Sequence, residues 1–178
     1  MKRVKLLEKI AGLIDRINEW VGTGVSWLTT AMVVVVCYDV FTRYVLRKSS
    51  VAVQELEWHL FAVIFLLAAG YTLRHDKHVR VDVFYAKLSR KKKALIDLAG
   101  TVIFLIPFTV LVIWSSLGFV ENSFRIMESS PDPGGLPFRY LLKACIPVGF
   151  VLLLLQALSL LIKSLTTIFE GEVKGSDG

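Results

Sequence analysis

Residues 102–112 read VIFLIPFTVLV, in which only Pro107 and Thr109 interrupt a row of aliphatic and aromatic side chains. Extended on both sides to about 94–120, this run is long enough to cross a bilayer. A hydrocarbon core of ~30 Å takes about 20 residues at 1.5 Å each. Pro107 stands at its middle and is expected to kink it, because proline lacks the N–H that a helix interior uses. Three further runs carry the same reading. Met32–Val36 is the continuously apolar centre of a span over about 21–44, with Trp20 and Trp27 near its start, where aromatic rings prefer the headgroup level. Phe61–Ala69 is the centre of a span over about 54–73. Its apolar part, Trp58–Leu73, rises only ~24 Å, so the helix has to begin earlier, within Ser49–Glu57. The fourth span covers about 140–162 and contains Pro147 and Gly149.

The rest of the chain fits around these runs. Of 178 residues, 54% are apolar, above the ~45–50% of soluble domains. The 20% that are charged fall mostly between the runs. The expected fold is therefore all-α: an integral membrane protein with four transmembrane helices plus an N-terminal amphipathic interfacial helix. Residues 1–20 supply that helix. Leu6, Leu7, Ile10, Leu13, Ile14, Ile17 and Val21 follow helical spacing, and Lys5, Glu8, Lys9, Asp15, Arg16 and Glu19 take the other face. Residues 21–169 form the membrane domain, and the polar stretch 170–178 is expected to be a disordered cytoplasmic tail. Between spans two and three, Val83, Phe84 and Leu88 are placed to rest on the membrane, with Asp82 as an N-cap. Glu121–Phe138, with Pro131, Pro133, Gly134, Gly135 and Pro137, is a loop.

Lysine and arginine set the orientation. Counted over alternate connections, they divide fifteen to six in favour of the side that holds both chain ends. Both termini are thus expected in the cytoplasm. The net charge of +6 does not then point to nucleic acid, and the basic run Arg90–Lys93 becomes an anchor against anionic membrane lipid.

Ionisable groups inside spans are the functional suspects. Asp39 and Arg43 are four residues apart on one helix face and close enough to pair. They lie near the far end of span one, which favours a structural pair over a transport site. Glu55 and Glu57 precede Trp58 at the start of span two. There they read as first-turn carboxylates that offset the helix dipole, or as contacts to a partner subunit. His59, His75 and His78 raise the question of haem, but only His59 lies within a span, and a bis-histidine site would lack its second ligand. Gln156, deep in span four, reads as a hydrogen bond between helices. Cys37 and Cys145 both sit in apolar runs and suggest neither a disulfide framework nor a metal cluster. With no phosphate-binding loop, no nucleophile with a base and no zinc spacing, the sequence argues for no enzyme and no cofactor.

One order of features resembles a known family. An amphipathic start leads to a span ending Asp39-Val40-Phe41-Thr42-Arg43-Tyr44. An acidic cluster with Trp58 follows, then Gly70 and the stretch His78-Val79-Arg80-Val81-Asp82. Nearly the whole chain is similar to the small membrane subunit of tripartite ATP-independent periplasmic transporters. Pro133-Gly134-Gly135-Leu136-Pro137, with Arg139, Lys143, Ile146-Pro147 and Gln156, is similar to one branch of it. The resemblance implies an accessory scaffold in the bacterial inner membrane. It implies two partners: a large multi-span permease that carries substrate and sodium, and a periplasmic solute-binding protein that selects and delivers the substrate, such as an organic acid. It also implies that His78, Arg80 and Asp82 shape the cytoplasmic turn. The order Gln54-Glu55-Leu56-Glu57-Trp58 departs from the family habit of placing tryptophan before the acidic pair. Two other functions compete: a haem-bearing membrane anchor of an oxidoreductase, and a self-contained small exporter, which would need an acid at mid-membrane.

Overall fold

The computed structural model of the chain describes residues 2–75 and 88–173. Helix α1 runs Lys2–Tyr44, α2 Val51–Leu67, α3 Ala69–Arg74, α4 Arg90–Gly100, α5 Ile106–Arg125 and α6 Arg139–Val173. A π-helical turn, Thr101–Leu105, joins α4 to α5. Four stretches are long and apolar enough to cross a membrane: Lys5–Tyr44, Val51–Arg74, Lys91–Arg125 and Arg139–Ile168. The expected all-α architecture with four helices long and apolar enough to span a membrane is therefore present, and no strand occurs among the described residues.

The helices alternate in direction. Asn18 of α1 meets Leu152 of α6, Glu19 meets Arg74 at the end of α3, and Phe124 meets Tyr140 across the loop that joins α5 to α6. One end of the bundle thus gathers the start of α1, the end of α3, the start of α4 and the end of α6. The other end, called the loop end below, gathers the connections 45–50 and 126–138.

α6 is the hub, packed against every other helical segment. Its inward face is Leu152, Leu153, Gln156, Ala157, Ser159 and Ser164. Facing it, the α4–α5 rod buries Ala94, Thr101, Thr109, Ser116 and Ser123, spaced seven or eight residues apart. The bulky side chains Phe104, Phe65, Trp114, Trp20 and Trp27 point outward. This inverts the layout of a soluble bundle for a physical reason. Lipid is as apolar as leucine, so helices gain little by hiding large side chains and associate through small residues that let backbones approach. Gly149 is such a site: a Cβ there would stand 2.5 Å from the Leu66 carbonyl oxygen of α2. The buried hydroxyls close their hydrogen bonds locally, Thr109 onto the Ile106 carbonyl at 2.9 Å and Ser116 onto the Ile113 carbonyl at 2.9 Å.

Several boundaries differ from the sequence reading. Residues 2–20 do not form a separate interfacial helix: α1 is one helix of 43 residues, about 64 Å long. Of the apolar stripe expected to lie on the membrane, Ile14 is buried in the bundle, while Leu6, Leu7, Ile10, Leu13 and Ile17 are exposed. The residues that join Ile14 inside are Ala11 and Asn18. Helix α2 starts at Val51, three residues before the expected 54 and inside the stretch Ser49–Glu57. Helix α6 continues to Val173, into the segment expected to be a disordered tail, and residues 174–178 lie outside the described residues. Around Pro107, the helix accommodates the missing N–H one turn earlier. The Ile106 N–H reaches back five residues to the Thr101 carbonyl, which gives the wider turn that often accompanies an irregularity of this kind. Pro147 sits inside α6 without ending it.

Candidate functional site

Two polar clusters tie the bundle, one at each end. At the N-terminal end the centre is Asp15 of α1. Its carboxylate accepts hydrogen bonds from Gln156 Nε2 at 3.0 Å, Ser159 Oγ at 2.8 Å and Lys163 Nζ at 2.5 Å, all on α6. One turn on, Asn18 donates from Nδ2 to the Leu152 carbonyl at 3.4 Å. Its Oδ1 lies so close to Gly70 of α3 that a Cβ there would stand 2.1 Å away. Glu19 holds the end of α3, accepting from Arg74 NH1 at 2.5 Å and facing His75 Nε2 at 2.9 Å. Arg74 also donates to the Asp15 backbone carbonyl at 2.6 Å. Three helices are thereby joined by charge-assisted bonds, the stronger kind.

At the loop end the centre is Glu55. It is 4% exposed, and its carboxylate accepts from Ser130 Oγ at 2.5 Å and from the Leu136 backbone N–H at 2.6 Å. Arg139 stands 3.7 Å from the same carboxylate and lies over the Trp58 ring, 5.4 Å from its centroid. Glu55 therefore pins the loop 126–138 onto α2. The loop also closes on itself, Ser130 N–H to the Leu136 carbonyl at 3.0 Å and Arg139 N–H to the Glu128 carbonyl at 2.9 Å. Glu128 accepts from Ser123 Oγ at 2.6 Å and pairs with Lys143. The Lys143 ammonium first, and the Ser123 hydroxyl second, hold the Glu128 carboxyl below its ordinary value of 4.5.

The residues singled out from sequence fall as follows. Asp39 and Arg43 pair on α1, with Asp39 2% exposed. Gln156 makes its interhelical bond to Asp15. The first-turn reading of Glu55 and Glu57 needs correction. Because α2 begins at Val51, its first turn holds no acidic residue; Glu55 binds a loop, and the buried Glu57 Oε1 has no hydrogen-bond partner. His59 donates from Nδ1 to the Glu55 carbonyl at 2.5 Å and packs on Trp58. His78, Arg80 and Asp82, together with Val83 and Phe84, lie outside the described residues.

Asp15, Asn18, Ser159, Lys163, Glu128 and Ser130 were not singled out by the sequence. Asp15 carried a usable signal: an acid on α1 and a lysine, Lys163, immediately after the fourth apolar run. Its position on the polar side of an amphipathic pattern suggested water instead. The loop contacts of Glu55 carried none, since 75 residues separate it from Ser130.

No group of three or more histidine, cysteine, aspartate or glutamate side chains able to hold a metal ion occurs among the described residues. What the arrangement can do is mechanical. It ties α1, α3 and α6 at one end and α2, α5, the loop 126–138 and the start of α6 at the other, and leaves large apolar surfaces outward. A protein-family model described as "Tripartite ATP-independent periplasmic transporters, DctQ component" matches residues 32–167 of the chain. No curated protein sequence matches it.

Proposed function

The chain belongs to the DctQ-component family of tripartite ATP-independent periplasmic transporters, and from that premise we propose that it is the scaffold against which a large permease subunit works. The family is one of transporter components, not of enzymes, and a tripartite system implies a large membrane partner and a binding protein. In this proposal the chain sits in the bacterial inner membrane with both termini in the cytoplasm. The permease carries an organic acid or similar solute, driven by an ion gradient, with sodium as the coupling ion. The periplasmic protein delivers the solute.

The observation that carries the scaffold role is the double clamp. Asp15 binds α1 to α6 through three side chains at one end, and Glu55 binds α2 to the loop before α6 at the other. A bundle held at both ends suits a static brace. A polar solute path calls for polar groups at mid-membrane, usually at broken helices, whereas here the centres Met32–Val36, Phe61–Ala69 and Val102–Val112 are almost wholly apolar.

Proteoliposomes test the proposal. The chain alone should take up no solute under a sodium gradient; uptake should need the large permease, the binding protein and sodium together. Gradient-driven uptake by the isolated chain would overturn the scaffold role and favour a small exporter.

A further inference from the structure

At the loop end, Glu57 and the exposed Asp132 are the acids without an ion pair among the described residues. Asp39 has Arg43, Glu55 has Arg139, Glu128 has Lys143 and Glu121 has Arg125. Glu57 has no cation among the described residues, and its Oε1 is buried without a donor. It is the seventh residue of α2, about 9 Å along the helix from Val51. Arg47 and Lys48, the nearest basic residues in sequence, are exposed in the connection above α2 and make no ion pair with it. Glu57 as a whole is half-buried, and its Oε1 is the oxygen withdrawn from water. A buried acceptor without a donor is costly and calls for a compensating group elsewhere.

The surface beside Glu57 says what kind of group that is. Trp58, Phe61 and Phe65 are exposed along the adjoining strip of α2, with Phe61 and Phe65 stacked 6.4 Å apart. An aromatic strip with one unneutralised carboxylate is complementary to an apolar helix carrying one cation. Asp39 of α1 also has a buried oxygen, Oδ1, without a donor. It lies five residues from the end of α1, about 7.5 Å along the axis, and so at a height comparable to Glu57. Arginine, with five donors on one planar group, is the side chain best able to serve such acceptors.

We propose that Glu57 is the ionic anchor of this subunit, and that it receives an arginine or lysine from a transmembrane helix of the large permease, packed along Trp58, Phe61 and Phe65. The inference rests on the scaffold reading for the identity of the partner. Its physical content is separate: the free chain is incomplete at Glu57 and the complex is not.

That asymmetry gives a test with two readouts of opposite sign. The full chain is purified alone, and also co-expressed with the large membrane subunit of the same transporter, as wild type, Glu57→Gln and Glu57→Lys. Alone, Glu57→Gln should unfold at the same or a higher temperature than wild type, because a half-buried carboxylate without a counter-charge has been replaced by a neutral amide. In the complex, Glu57→Gln should weaken association at least tenfold, and Glu57→Lys should weaken it further. If the wild type binds the permease and both variants bind as well as it does, the anchor is refuted and the scaffold reading stands. If Glu57→Gln lowers the stability of the chain alone, Glu57 is an internal structural group and the anchor is refuted. If the wild type itself fails to bind the permease, the scaffold reading falls, and the anchor with it.

Discussion

Gln156 Nε2 donates to Asp15 Oδ1 at 3.0 Å across 141 residues of chain, so the last long helix is latched to the first by a neutral amide on a carboxylate. Ser159 and Lys163 complete the latch from successive turns of α6. Deleting the amide leaves an acceptor that two other donors still serve. Gln156→Leu should therefore destabilise the bundle by only about 0.6 kcal/mol, the average for hydrogen bonds between membrane helices, and by no more than about 1.7 kcal/mol. Asp15→Ala should cost more, because it strands Gln156, Ser159 and Lys163 together. Unfolding in mixed micelles with a double-mutant cycle measures both; additivity of the two changes would remove the latch.

Asp39 is almost fully buried while its partner Arg43 is 44% exposed at the side chain. Removing Arg43 should then hurt more than removing both. Arg43→Gln leaves a buried, unpaired carboxylate, whereas Asp39→Asn with Arg43→Gln leaves two neutral groups. The expected coupling exceeds about 0.5 kcal/mol, read from the same unfolding assay.

Gly149→Ala should destabilise by about 1–3 kcal/mol, the cost of overpacking a close contact, because the added Cβ meets the backbone oxygen of Leu66 at 2.5 Å. Gly118→Ala on α5 is the control. Nothing lies within 4 Å of its Cβ, and alanine is the better helix former, so thermal unfolding should be unchanged or slightly later.

The Glu128 clamp gives a pH dependence whose sign follows from its depressed carboxyl. An unfolded glutamate keeps its proton up to a higher pH than the folded one, so folding is favoured above the ordinary value of 4.5. That contribution fades as pH falls through the lower, folded value. Loop 126–138 should thus open in acid, detected as faster amide exchange at Ser130 and Leu136. Glu128→Gln should flatten the part of this dependence that Lys143 and Ser123 supply.

Topology is open to direct labelling. In a background without Cys37 and Cys145, a cysteine in place of Lys92 should react only from the cytoplasm, and one in place of Asp132 only from outside. Reaction of the Lys92 position from outside would invert the orientation that the lysine and arginine distribution favours.

The sequence by itself determined that four helices cross the membrane and roughly where. A bilayer demands length and apolarity, and both are properties of contiguous residues such as 102–112. It also placed Asp39 and Arg43 within reach of each other, because i,i+4 geometry is local. What it could not settle was which way each helix turns. Of the stripe Leu6, Ile10, Leu13 and Ile14, read as resting on the membrane, Ile14 turns into the bundle, while Asp15, on the face that reads as wet, meets α6. In water the hydrophobic effect would sort those faces, and a periodic pattern would reveal the core. In lipid it does not, so the choice passes to close backbone approach at Gly149 and Gly70 and to polar groups that find partners far along the chain. Glu55 with Ser130, and Asp15 with Gln156, are pairings that only the tertiary structure decided.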